Sequence, residues 1–190
     1  MISDKMNAAL NEQINKEMYS AFLYMAMSSH SSGTGLQAFA RWLRGMGLKG
    51  FASWFMVQYH EEMYHAMKLY EYIHSQGGQI TLLSIAQPPA EFESPLDMFT
   101  KTLAHEQMVT QSINSLMDLA IEERDHATRI FLQWYVTEQV EEEENDNEII
   151  DQLRLIDGNP QGLMMLDREL GQRPANVPVD FSKGVSAGEE

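Results

Sequence analysis

Carboxylates interrupt the apolar faces of the four long helical segments that the hydrophobic spacing of this chain predicts. One carboxylate lies near the middle of each segment, and the second segment adds a histidine: Glu17, Glu62 with His65 three residues later, Glu106 and Glu142. Residues spaced three apart share a helix face, so Glu62 and His65 can bind one ion together. Carboxylate oxygen and imidazole nitrogen are ligands that divalent metals accept. The pattern therefore indicates a metal site shared by four helices.

Burial of four carboxylates in one core requires a compensating positive charge. An unpaired buried carboxylate costs several kcal/mol, and carboxylates that face one another also repel. No Lys or Arg falls on the central positions of these four helix faces. Two divalent ions carry as much positive charge as the four carboxylates carry negative charge. A lone inward Glu or His is more often an ordinary core residue, so the interpretation depends on the joint pattern.

Composition limits the other classes of function. The chain has 190 residues, 44% of them hydrophobic, which is enough for one domain with a sizeable core. It has no cysteine, which excludes disulfides, Cys-ligated zinc, Fe–S clusters and thiol nucleophiles. A net charge of −15 argues against a nucleic-acid partner. Because the sequence contains neither a bilayer-length apolar run nor the regions of a signal peptide, we expect a cytoplasmic protein without a membrane partner.

The elements that must position these residues are helices, and we expect an all-α fold. Apolar residues recur at spacings of three and four between clusters of Gly and Pro. The predicted helices are α1 (residues 3–29), α2 (48–75), α3 (95–122, with Ser94 as N-cap and Pro95 at its first position), α4 (125–156) and a short α5 (161–170). The long connection 77–94 predicts a crossover in a four-helix bundle, with α2 and α3 parallel. We expect residues 173–190 to form a flexible tail.

Segments of these helices resemble the non-haem bacterial and archaeal ferritins. The resemblance covers about residues 1–172 and is carried by residues 15–24 (NKEMYSAFLY), 61–66 (EEMYHA), 105–106 (HE) and 134–143 (WYVTEQVEEE). It implies a ferritin-like bundle that acts as a ferroxidase, which oxidises Fe(II) with O₂ and stores ferric mineral. It also implies a hollow homo-oligomeric cage, usually of twenty-four subunits. Iron is then the metal of a diiron centre, and no haem is expected.

The resemblance also implies which residues bind iron. The first position resembles Glu17, Glu62 and His65, and Glu62 bridges to a second position completed by Glu106, Gln139 and Glu142.

A third iron position is implied on the cavity side of the diiron centre. It resembles Glu61, Glu138 and Glu141 together with Glu142, and a solvated acidic face is the alternative interpretation of these residues. Tyr24 is the position from which the family implies an extra electron. A core tyrosine hydrogen-bonded to a carboxylate is the alternative there.

Two functions from different classes stay open at this point. The first is an iron-oxidising storage protein, and the second is a diiron oxygenase or metal-binding bundle that forms no cage. Gln139-x-x-Glu142 stands where bacterioferritins and many diiron proteins carry a second Glu-x-x-His, which favours a site that passes iron onward. The short α5 also favours the first function, because a cage uses this helix at symmetry contacts and a bundle oxygenase does not need it.

A repeat precedes α2. Residues 35–43 (GLQAFARWL) resemble residues 47–55 (GLKGFASWF), with five identities in nine positions, which indicates an inserted repeat over residues 35–46. If the repeat simply prolonged α2, the apolar face would turn by about 120° over about 18 Å. Gly45 and Gly47 would each disfavour that helix by about 1 kcal/mol.

We therefore expect a separate short helix, about Leu36 to Arg44, hinged at Gly45 to Gly47. It would pack on the bundle's outer surface or on a neighbouring subunit, where it could alter cage size or symmetry. A tolerated surface insertion that leaves the cage unchanged is the alternative.

Overall fold

The computed structural model describes residues 2–33, 47–182 and 184–185. Within them the chain forms five helices and no strand: α1 (Asp4–Ser32), α2 (Lys49–Ser75), α3 (Pro95–Glu122), α4 (His126–Ile156) and α5 (Pro160–Leu170). The predicted all-α fold is confirmed, and every predicted helix end lies within three residues of the observed one. The short helix predicted over residues 36–44 lies outside the described residues. No helix in the described part of the chain has the length and hydropathy of a membrane span.

Side-chain caps define where three of the long helices begin. Ser3 Oγ accepts a hydrogen bond from the N–H of Met6 at 2.9 Å. Asp125 accepts one from the N–H of Thr128 at 3.0 Å, and Ser94 caps α3 in the same way. The first N–H groups of a helix have no partner within the helix, so these acceptors satisfy them and stabilise each start.

Hydrogen bonds between helices give the direction of each one. The contacts that order them along the bundle are Lys5–Glu122 and Ser31–Met98 between α1 and α3, and Tyr72–Thr128, Tyr135–His65 and Gln58–Glu142 between α2 and α4. Both pairs are therefore antiparallel. Ser28 Oγ donates to the carbonyl of Ala52 where α1 leads into α2, so these two helices are also antiparallel. It follows that α2 and α3 lie parallel, as the long crossover requires.

The crossover between α2 and α3 is attached to α1 by asparagines spaced four residues apart. The side-chain amides of Asn7 and Asn11 both donate to the carbonyl of Gln79, at 3.1 and 2.9 Å. Asn15 donates to the carbonyl of Ser84 at 3.1 Å. One face of α1 thus supplies the hydrogen bonds that an extended connection cannot make for itself.

The described residues on either side of the inserted repeat meet. The N–H of Leu48 donates to the carbonyl of Ser31 at 2.9 Å. A Cβ atom on Gly47 would lie 2.6 Å from the carbonyl oxygen of Ser32, so only glycine fits this approach. The end of α1 and the start of α2 are therefore joined directly by contacts that do not involve the repeat.

The core consists of two apolar clusters with a polar layer between them. One cluster, which includes Phe51, Phe55 and Phe99, lies where α5 packs. The other includes Met6 and Leu69 and lies towards the opposite end of the bundle. Between the two clusters lies a group of buried polar residues from the four long helices: Glu17, Gln58, Glu62, His65, Glu106, Gln139, Glu142 and Asp146. The fold thus builds a polar layer between two apolar clusters.

Candidate metal centre

Glu17, Glu62 and His65 form a tight group in the polar layer. One ligating atom from each lies within 4.8 Å of the others, and all three side chains are buried. Among the described residues, Oε2 of Glu17 and Oε2 of Glu62 have no hydrogen-bond partner. Buried carboxylate oxygens are normally paired, so two unpaired ones beside an imidazole are suited to bind a cation.

The protonation of this group is set mainly by burial. Burial raises the pKa of Glu17, and it raises the pKa of Glu62 well above its usual range, with the charges of Glu106 and Glu17 adding to the effect. Burial, with a smaller contribution from the charge of Lys68, lowers the pKa of His65 to about 3. His65 is therefore neutral at physiological pH, which is the form that ligates metals. A bound divalent ion would instead favour the ionised carboxylates.

Glu106, Gln139 and Glu142 are buried beside this group. Gln139 Nε2 donates to Glu106 Oε2 at 3.1 Å, and the Tyr24 hydroxyl donates to the other oxygen of Glu106. Burial and the charge of Glu142 raise the pKa of Glu106 to about 8. Among the described His, Asp and Glu side chains, neither Glu106 nor Glu142 belongs to a group of three whose ligating atoms lie within 4.8 Å of one another. The structure therefore brings them into the same layer as Glu62 without closing them into one tight cluster.

The residues of the expected third position lie around His65 and around Arg173, which follows the end of α5. Glu138 Oε1 is 3.9 Å from His65 Nε2, whereas Glu141 is exposed. Burial raises the pKa of Glu138 to about 7, with the charges of Glu142 and Glu141 adding to it. Glu61 is buried, and burial raises its pKa to about 7 although the charge of Arg173 opposes the shift. These carboxylates differ in exposure, so they do not form one enclosed site.

Three residues at this centre have no role in the sequence analysis. Gln58 Nε2 donates to Glu142 Oε2 at 2.8 Å, and Asp146 is buried with neither carboxylate oxygen bonded to another described residue. The sequence could have indicated both Gln58 and Asp146, because each lies four residues from a predicted ligand on the same helix face. Arg173 donates to Glu61 from the segment predicted to be a flexible tail, and no spacing in the sequence relates it to α2.

Comparisons with known proteins bear on this geometry. The sequence matches the profile of a ferritin-like domain in two segments, residues 7–45 and 37–156, which overlap within the first copy of the repeat. It is 39% identical over 168 residues to a bacterial non-heme ferritin of Campylobacter jejuni, which covers 88% of this chain and 93% of that protein. A bacterial non-heme ferritin of Staphylococcus epidermidis is 37% identical over 176 residues, 93% of this chain and 99% of that protein.

A solved structure agrees with these sequence matches. The fold superimposes on an open-pore ferritin from the archaeon Archaeoglobus fulgidus with a TM-score of 0.83 and 44% sequence identity. That match covers 92% of this chain and 100% of the archaeal one.

Proposed function

The chain belongs to the ferritin family, and from this premise we propose that it is an iron-storage ferritin with ferroxidase activity. It oxidises Fe(II) with O₂ at the layer shared by its four long helices and stores the ferric product in a homo-oligomeric cage in the cytoplasm. The observation that carries the proposal is the buried group of Glu17, Glu62 and His65 with its two unpaired carboxylate oxygens. Iron is both the substrate and the cargo of the protein.

Each ligand has a definite part in this chemistry. Glu17, Glu62 and His65 hold the first Fe(II), and Glu62 is shared with a second position whose other ligands are Glu106, Gln139 and Glu142. Carboxylate oxygens are hard ligands, so they favour Fe(III) over Fe(II) and promote the loss of one electron from each ion to O₂. The neutral imidazole of His65 adds a ligand without adding charge.

Proton release is part of the same step. Glu106 carries its proton at neutral pH in the metal-free protein, because its pKa is raised to about 8 by burial and by Glu142. Binding of Fe(II) must displace that proton, so iron binding is coupled to proton release.

Tyr24 supplies a further electron in this proposal, as the family resemblance implies. Its hydroxyl donates to Glu106, and burial raises its pKa well above the usual range, so the phenol stays neutral. Oxidation of a phenol releases its proton, and Glu106, which has lost its own proton once Fe(II) is bound, accepts it through this hydrogen bond. This role is part of the proposal.

Replacement of the bridging residue tests the proposal. We expect Glu62→Ala, and likewise His65→Ala, to abolish fast aerobic Fe(II) oxidation in stopped-flow measurements at two Fe(II) per subunit. Helicity should be unchanged, because removal of a buried carboxylate relieves repulsion in the metal-free protein.

The matched control is Glu148→Ala, which removes an exposed carboxylate on α4 and should oxidise iron at the wild-type rate. An unaltered rate in Glu62→Ala would remove the bridge assignment.

A further inference from the structure

The C-terminal segment after α5 returns to the candidate metal centre through one side chain, Arg173. Its Nη2 donates to Glu61 Oε2 at 2.9 Å, and its Nη1 donates to the side-chain carbonyl of Gln58. The guanidinium carbon lies 5.1 Å from the centre of the Trp54 ring. Two hydrogen bonds and a cation–π contact thus hold one guanidinium against α2.

Helix α5 is anchored so that Arg173 reaches this point. Asp167 Oδ1 accepts hydrogen bonds from the N–H groups of Gly50 and Phe51 at 2.8 and 3.1 Å, and so caps α2, whose own N-cap residue makes no side-chain bond. A Cβ atom on Gly50 would lie 1.5 Å from the carbonyl oxygen of Asp167, so this close contact requires glycine. Arg173 lies three residues after the end of α5, so the contacts that hold α5 on α2 also position Arg173.

Gln58 transmits the position of Arg173 to Glu142. Arginine can only donate hydrogen bonds, so the carbonyl end of the Gln58 amide must face Arg173. The NH₂ end then faces Glu142 Oε2, to which it donates at 2.8 Å. A loss of Arg173 from Gln58 would therefore remove the interaction that fixes this amide, and with it the donor to Glu142.

The charge of Arg173 acts on the carboxylates of the expected third iron position. It opposes the burial that raises the pKa of Glu61, and it likewise opposes part of the rise in the pKa of Glu138 and Glu142. The guanidinium thus does part of what a metal ion at that position would do. An ion and a guanidinium repel each other and cannot both use Glu61 at full strength.

We propose that Arg173 is a resident counter-ion of the third iron position, which an ion can occupy only when the guanidinium leaves Glu61. This inference rests on the proposed function, because it concerns how the same centre receives iron. The Arg173 side chain is 24% exposed and its Glu61 partner 11%, so the guanidinium can move into solvent without unpacking the core. Its departure frees Gln58, which links occupation of the third position to the environment of Glu142.

With Arg173 as counter-ion, the three metal ions should bind in a fixed order and with different affinities. The third ion binds last and more weakly than the first two, since it alone must displace a bonded cation. Removal of the guanidinium should tighten this third step. The second step, which uses Glu142, should change less, because Arg173 does not contact Glu142 directly and its hydrogen bonds reach it only through Gln58. Zn(II), which is redox-silent, can report all three steps without oxidation.

The experiment is calorimetric titration of the assembled, metal-free protein with Zn(II), comparing wild type with Arg173→Gln. We expect the third dissociation constant to fall about tenfold in the variant, as removal of a competitor that holds Glu61 through one charge-assisted hydrogen bond predicts. Arg168→Gln is the matched control, since it removes an exposed arginine from the same end of the molecule. Arg173→Lys should give an intermediate affinity, because lysine keeps the charge but loses the paired donors.

The outcomes separate this inference from the proposed function. Two tight steps with an identical or weaker third step in Arg173→Gln would overturn the counter-ion role and leave the diiron proposal intact. If Arg173 only held the C-terminal segment in place, the variant would melt at a lower temperature with the third affinity unchanged, which also overturns it. Absence of all Zn(II) binding in the wild type would overturn both proposals.

Discussion

Among single residues, Asp146 is a buried carboxylate whose protonation should affect stability. It is 1% exposed, and within the described part of the chain neither of its carboxylate oxygens has a hydrogen-bond partner. Burial, with the charges of Glu106 and Glu142, raises its pKa to about 9. The unfolded chain loses this proton near its ordinary value of 3.8. The contribution of Asp146 to stability is therefore fully present below that value and is lost as the pH rises towards about 9.

The expected consequence is a pH-dependent gain from Asp146→Asn in the metal-free protein. The amide is neutral at every pH, so the variant should melt near the wild-type temperature at pH 4 and above it at pH 8. Each kcal/mol added to the free energy of unfolding raises the melting temperature of a chain of this size by about 2–4 °C. Melting curves of both proteins across this range are the measurement, with exposed Glu148→Gln as control. Parallel curves for wild type and Asp146→Asn would contradict the assigned pKa shift.

The candidate ligands could be predicted from the sequence because the spacing of apolar residues defines the helix faces on which they lie. Glu17, Glu62 and His65 interrupt apolar faces at helical spacing, and the structure brings their ligating atoms within 4.8 Å of one another. Arg173 could not be predicted, because its contact with Glu61 depends on how α5 docks on the start of α2. That docking is a tertiary contact between residues more than one hundred positions apart, and no local pattern encodes it.

At the scale of elements, helix bounds were predictable because the capping residues act locally. Ser3, Ser94 and Asp125 each accept a hydrogen bond from an N–H three residues later, so the chemistry of a start lies within one turn of sequence. The path of the crossover is different, since it depends on asparagines of α1 that bond residues about seventy positions away. Asn11 is the buried member of that set.

Loss of Asn11 should loosen the crossover without affecting iron chemistry. Its amide donates to the carbonyls of Asn7 and Gln79, and its carbonyl accepts the N–H of Thr81 at 2.7 Å. Asn11→Ala removes these three hydrogen bonds and leaves the N–H of Thr81 without its acceptor, although Asn7 still donates to the carbonyl of Gln79. We therefore expect the free energy of unfolding to fall by about 1–3 kcal/mol. Urea unfolding of the metal-free protein measures this loss.

Asn15→Ala is the comparison for that measurement, because its single bond to Ser84 is exposed and should contribute less. Fe(II) oxidation should be normal in both variants, since the crossover supplies none of the proposed ligands. An equal loss of stability in the two variants would show that burial of Asn11 adds nothing.

In the whole molecule, the inserted repeat is the feature whose effect on subunit assembly is to be tested. The end of α1 and the start of α2 already meet through Leu48 and Ser31, so the bundle does not need the repeat to close. The proposed ligands of α2 all follow the repeat in sequence. The archaeal ferritin of the structural comparison aligns over its full length while covering 92% of this chain. We expect the repeat to affect the angle between subunits only if it contacts a neighbouring subunit.

Deletion of residues 35–46 tests whether the repeat influences the cage. We expect the shortened chain to fold and to oxidise Fe(II) at the wild-type rate, because Gly33 and Gly47 flank a junction already held by the Leu48–Ser31 hydrogen bond. Native mass spectrometry of both forms gives the subunit count, and a cage near twenty-four subunits supports storage.

A different count in the two forms assigns the repeat to assembly, and an identical count makes it a tolerated surface insertion. A lost oxidation rate in the shortened form would show that the repeat is not independent of the metal centre, and a stable monomer or dimer in both forms would favour a bundle without a cage.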